Sequence, residues 1–248
     1  MKEGEHMHNG LAIGVAPVRN EADFFIHELV PINFFGSTVY ITTTHVCSAI
    51  ILITIVILAI CARNSVLKHK DNPTKFSAGV EIVIETLLKF VGGAMGKAGK
   101  NYINYIGAIF IYIFLSNISG LFGLRPPTAD YGTTLCLALI TFVMIQYAAI
   151  RYKKWGAFTD LFQPVFFFFP MNVISEFATP LSLSLRLFGN VLAGTVMISL
   201  YYGLIPVLFR IGIPAFLHVY LDLFSGAIQA YVFTMLTMTF VFDKRNVE

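Results

Sequence analysis

Val39-Tyr-Ile-Thr-Thr-Thr-His-Val-Cys-Ser-Ala-Ile-Ile-Leu-Ile-Thr-Ile-Val-Ile-Leu-Ala-Ile-Cys-Ala62 runs for 24 residues without a formal charge. As a helix it is about 36 Å long, enough to cross a hydrocarbon layer of roughly 30 Å with some tilt. Arg63, Lys68, Lys70 and Lys75 follow at once, which places that end in the cytoplasm by the positive-inside rule. The 248-residue chain is 56% hydrophobic and only 12% charged, so it reads as an all-α membrane protein. A net charge of +3 without a dense basic block excludes nucleic acid as a partner. Cys47, Cys61 and Cys136 all lie in apolar runs as small hydrophobes, so neither a disulfide framework nor a metal site is implied, and no cofactor is called for.

Residues 1–38 form an acidic segment expected outside, with no basic stretch leading into a short apolar core and hence no cleavable signal peptide. His6 and His8 within it form a lone His-x-His on a solvated tail. After the span at 39–62, Val80, Val83, Ile84, Leu87, Leu88 and Val91 recur as a helical stripe opposite Glu81, Glu85 and Lys89. That pattern predicts an amphipathic helix over 77–95 on the inner membrane surface, or a peripheral packing helix. Two spans within 103–150 follow, joined by the tight turn Arg125-Pro-Pro-Thr-Ala-Asp130 and closed by the basic loop Arg151-Tyr-Lys-Lys-Trp-Gly156. Residues 164–242 hold two further hydrophobic regions, and 243–248 form a short cytoplasmic tail. Five spans with the N-terminus outside put the Lys and Arg clusters inside and leave Lys2, Arg19, Arg125 and Arg210 outside.

From Leu161 to Phe242 the charged side chains are Glu176, Arg186, Arg210 and Asp222. An isolated charge at the bilayer centre costs about 2.5 to 3.5 kcal/mol on insertion scales, so such residues are functional candidates. Arg210 reads as part of a loop or interface. Ser182, Arg186 and Asn190 recur every four residues, one helix face, and Gly189 with Ala193 and Asn190 with Gly194 add small pairs that admit a close neighbour. His218, Asp222, Ser225, Gly226 and Gln229 form a second polar face. Asp222, set among apolar neighbours, is placed either to exchange protons or to satisfy Arg186. Glu176, about 15 Å along the helix from Arg186, is too far for a direct pair and suits an ion entrance or a solvated interface.

Leu183-Ser-Leu-Arg-Leu-Phe-Gly-Asn-Val-Leu-Ala-Gly194, then Gln229-Ala-Tyr-Val-Phe233, with Pro127-Thr-Ala-Asp130 and the five-span plan, resembles subunit a of the F-type ATP synthase. The resemblance implies a non-catalytic, ion-translocating stator in the bacterial inner membrane. It would form two half-channels against a rotating ring of c subunits, in a complex with peripheral-stalk b subunits and membrane lipid. It further implies that the last two helices are long and strongly tilted, at about 168–200 and 206–242. Arg186 matches the family's essential arginine, which holds a passing ring carboxylate ionised and blocks leakage. Asn190 and Gln229 match polar positions beside it, and Asp222 falls in the outer half-channel. Thr195 stands where many bacterial members carry Glu, so Asp222 and Glu176 would have to serve in its place. Coupling to sodium instead of protons remains open, since the ring largely sets ion choice. A secondary transporter is the alternative from another class. It would need paired interrupted helices in two repeats, and the first half of the chain holds no second copy of the 175–195 pattern.

Overall fold

The computed structural model describes residues 28–34, 37–68, 74–122, 124–153, 169–204, 216–217 and 219–245. It opens on an antiparallel hairpin, β1 (Glu28–Phe34) with β2 (Ser37–Thr42), whose register shifts between Glu28 and Val30. The rest of the described chain is helical. The first helix, α1, spans Thr43–Lys68, so the span expected to begin at Val39 begins four residues later. Val39-Tyr-Ile-Thr-Thr is β-branched and aromatic, a composition that suits a strand as well as a membrane helix. At the changeover Thr42 Oγ1 and His45 Nδ1 share a 2.6 Å side-chain hydrogen bond.

α1 packs through Thr44, Cys47 and Ile51, one face near its start, and leaves the remaining apolar surface uncovered. Only 11% of its most apolar window is buried, against 44% for the last helix. A helix apolar all round, with so little of it covered by protein, is built to face lipid.

α2 (Lys75–Met95) ends at Gly96, whose φ of 57° is a left-handed value that glycine adopts without strain. The turn Gly96–Asn101 then leads into α3 (Ile103–Ile118). Gly107 of α3 lies under Leu87 of α2, where an added Cβ would stand 2.7 Å from the leucine Cδ2. The amphipathic stripe is therefore split: Val91 is buried in the bundle, whereas Val83, Ile84 and Leu88 stay exposed.

α4 (Tyr131–Lys153), α5 (Phe169–Leu204), a π-helical turn (Val219–Ser225) and α6 (Gly226–Arg245) complete the described chain. Among the described residues five helices are long and apolar enough to cross a membrane. α5 has 36 residues, about 54 Å, far longer than a hydrocarbon layer. It runs unbroken through Pro180. Membrane helices tolerate such a proline when nearby hydroxyls and helices take over the freed backbone groups.

The core forms between α3, α4, α5 and α6. Ile109, Ile113, Ala138, Leu183, Leu187 and Phe233 meet at mid-height, and Val91, Met95, Ile106, Ile145 and Met238 meet towards one end. Buried Thr141, Thr234 and Thr237 return their hydroxyls to their own helix carbonyls at 2.8–2.9 Å, which avoids leaving polar atoms unpaired in an apolar interior. At the end carrying Tyr102 and Tyr152, the Arg245 guanidinium stacks 4.9 Å over the Tyr152 ring. Burial first, then the neighbouring Tyr152 through its charge and a hydrogen bond that favours the protonated form, raise the pKa of the Tyr102 hydroxyl.

Candidate ion path

Arg186 stands midway along α5 and is exposed, as are Leu181 (47%) and Leu185 (49%) before it. Among the described residues its guanidinium enters no hydrogen bond or salt bridge. The reading in which Asp222 merely satisfies Arg186 is therefore not realised. Ser182 is exposed on the same flank, but Asn190 is half buried. At about 3.6 residues per turn each four-residue step overshoots by about 40°, so the polar stripe drifts from the open flank at Ser182 to the helix seam at Asn190.

At that seam Ser225 Oγ donates to Asn190 Oδ1 at 2.9 Å. Gly194, one turn on, also faces this seam, where an added Cβ would make an ordinary contact of 3.8 Å with Leu221 Cβ. Gly189 meets nothing within 4 Å, and Ala193 is exposed, so of the two small pairs only Asn190 with Gly194 serves the contact between helices. Beside the seam lies a small pocket lined by Asn117, Pro126, Asn190, Val191, Gly194, Leu221, Asp222 and Gly226, with room for about one water molecule.

Asp222 sits in the π turn, where each hydrogen bond spans five residues and the spacing of an ordinary helix no longer applies. The face expected to join His218, Asp222, Ser225, Gly226 and Gln229 is accordingly redistributed. Asp222 and Gly226 line the pocket, Ser225 bonds Asn190, and Gln229 is 7% exposed inside the bundle. Among the described residues the buried Gln229 Nε2 has no partner, an arrangement that costs about 1–3 kcal/mol. His218 lies outside the described residues.

Glu176 is far from this cluster. Its Oε2 accepts from Gln146 Nε2 at 2.7 Å, and its Oε1 is ion-paired with Lys244 at the end of α6. It thus ties α4, α5 and α6 together at the end of the bundle away from the Pro126–Asp130 turn. Thr195 spends its hydroxyl on the Leu192 carbonyl at 2.9 Å and does not line the pocket.

Four contributors escaped the sequence reading: Asn117, Thr128, Gln146 and Lys244. Asn117 and Gln146 are amides inside spans, a signal of the same kind that singled out Asn190. Thr128 and Lys244 belong to ordinary turn and tail sequences, and only packing reveals them.

The family model described as the ATP synthase A chain matches residues 42–242, from the last residue of the hairpin almost to the end of α6. The chain belongs to the ATP synthase subunit a family. It is 35% identical over 237 residues to ATP synthase subunit a of Priestia megaterium, covering 88% of this chain and 97% of that one. It is 40% identical over 186 residues to the sodium-ion-specific ATP synthase subunit a of Propionigenium modestum, covering 68% of this chain and 63% of that protein. The chloroplastic subunit a of Oedogonium cardiacum is 36% identical over 184 residues, with 69% and 71% covered. Membership makes this chain a multi-pass membrane component of an ATP synthase, with an ion-translocating role.

Proposed function

We propose that the chain is the proton-translocating stator of a bacterial F-type ATP synthase, carrying ions through two half-channels against a rotating ring of c subunits. The carrying observation is Arg186, halfway along α5, on an exposed flank of leucines and without a partner in the described chain. A guanidinium facing hydrocarbon is costly, so this flank has to face a partner that supplies an acid. A fixed cation in a medium of low dielectric favours the ionised form of an approaching carboxylate, which then releases its ion on one side and reloads on the other. Arginine suits the post because it keeps its charge on burial, where lysine readily gives up its proton.

The pocket at Asp222 and Asn190 serves the outer path, with Gln229 farther along in α6; the sequence spacing assigns His218 to the same path. Ser182 lines the ring-facing flank, and Glu176 marks the inner end. The N-terminus lies outside and the C-terminus in the cytoplasm, as the basic residues at the ends of α1, α4 and α6 favour. Peripheral-stalk b subunits and lipid cover the remaining apolar flanks. Catalysis belongs to other subunits of the complex.

A sodium-coupled version of the same role is favoured by the likeness to the sodium-specific Propionigenium protein. Sodium protection of the ring carboxylate from carbodiimide would establish that version, and indifference to sodium would establish protons. The stator reading itself is tested by a cysteine at Ser182 in the assembled complex. Oxidation should cross-link it to cysteines placed beside the ring carboxylate, and failure to cross-link along the ring would overturn the orientation of this flank.

A further inference from the structure

The segment that presents Asp222 and Ser225 is a π turn, and it ends at Gly226, where α6 begins. A π turn within a helix is a local choice of register, and such turns occur frequently at functional sites. Sliding the register by one residue turns every side chain in it by about 100° around the axis, enough to remove Asp222 from the pocket. Something must therefore hold this register.

The contact at its end is unusually close. Asn117, near the end of α3, donates its Nδ2 to the Gly226 carbonyl at 3.3 Å. A Cβ at position 226 would stand 2.6 Å from Asn117 Cβ, so only glycine admits the approach. Asn117 is held in its turn: its Oδ1 accepts the Thr128 hydroxyl at 2.8 Å, and both residues are buried (3% and 0% exposed). This network also settles the amide's orientation, because a carbonyl must face the nitrogen and a hydroxyl donor the oxygen. Thr128 sits in the turn Pro127–Ala129, braced by Ala129 N–H to the Pro126 carbonyl at 2.9 Å and by Asp130 N–H to the Pro127 carbonyl at 3.2 Å. Two prolines with fixed φ stiffen its approach. The same end of α3 also supports the acid directly, since a Cβ on Gly120 would lie 3.3 Å from the Asp222 carboxylate.

We propose that Thr128 is a positioning residue for the ion path, which acts through Asn117 to hold Gly226 and with it the π register that delivers Asp222 and Ser225 to Asn190. Thr128 does not line the pocket and carries no charge, so it has no direct part in moving ions. The inference rests on the proposed reading of the pocket as part of the outer path.

The test uses the whole complex in proteoliposomes, driven to synthesise ATP by an imposed proton gradient. Thr128→Val keeps the shape, removes the hydroxyl and leaves a buried Asn117 oxygen unpaired. The expected result is a fall in rate of about tenfold, within the range that a small misplacement costs. The outer pH giving half-maximal rate should also shift, with subunit content and thermal stability of the complex retained. Thr128→Ser should restore both rate and pH profile. A wild-type rate and profile in Thr128→Val overturns the proposal. So does a slowed rate with an unmoved profile, or a shifted profile that Thr128→Ser fails to restore. If Thr128→Val fails to assemble while Thr128→Ser behaves as wild type, Asn117→Asp decides. It retains an acceptor for Thr128 but loses the donor to Gly226, and a wild-type profile there overturns the proposal. Asp222→Asn run in parallel separates the two levels. If it leaves synthesis unchanged, the pocket reading fails; if it slows synthesis while Thr128→Val does not, only the positioning role fails.

Discussion

Ser225 donates its hydroxyl to Asn190 Oδ1 at 2.9 Å, joining the π turn to α5 one helical turn beyond Arg186. The bond links the helix that carries the exposed cation to the turn that carries the pocket's acid. Ser225→Ala leaves a half-buried acceptor unpaired, at a cost of about 1 kcal/mol. Dye quenching in inverted vesicles should show ATP-driven pumping slowed about fivefold, the rate equivalent of that energy. Undiminished pumping would mean that the seam does not depend on this bond.

Arg186→Ala should abolish ATP-driven pumping while the complex still co-purifies intact, because the residue lies on an exposed flank and supports no contact in the described core. Arg186→Lys should recover little, since a compact ammonium gives up its proton more readily in an apolar setting. Normal pumping in the alanine variant would sink the electrostatic role.

Asp222→Asn keeps the size of the side chain beside Gly120 but removes its ability to take up a proton. Pumping should slow, and Asp222→Glu should preserve more of the rate than the amide does. Equal rates in all three forms would return Asp222 to a purely structural part.

The Glu176–Lys244 pair is 25% and 30% exposed at its side chains, so solvent screens it in part. A double-mutant cycle with Glu176→Gln and Lys244→Met should give a coupling of about 1 kcal/mol or less in the stability of the complex. Glu176→Gln should also slow pumping more than Lys244→Met does, as an acid at the inner end of the path requires. The reverse order would reduce Glu176 to a tether.

Gly194 has room for one methyl group, with Leu221 Cβ at 3.8 Å from its added Cβ. Gly194→Ala should pump normally. Gly194→Leu overfills the seam, at a cost of about 1–3 kcal/mol, and should lose pumping together with the Ser225–Asn190 bond. A fully active leucine variant would show that the helices separate freely here.

Periodicity and hydropathy made much of this protein legible. The five apolar helices and the amphipathic α2 follow from residue type and spacing, whereas for Arg186, Asn190, Asp222 and Gln229 residue type marks the positions but spacing does not group them correctly. The hairpin was missed because Val39–Thr43 satisfies strand and span alike.

Composition and local spacing are enough to say that the chain spans a membrane and that a few costly polar groups sit within it, because hydrocarbon penalises each such group wherever it points. They do not say which groups meet. Arg186 and Asn190, four residues apart, part company because one faces out of the bundle and the other faces Ser225. Asp222 reaches the pocket through a π register that no α-helical count anticipates. Thr128 and Asn117 hold that register across distant stretches of chain, and only the close packing of α3 against Gly226 brings them to it.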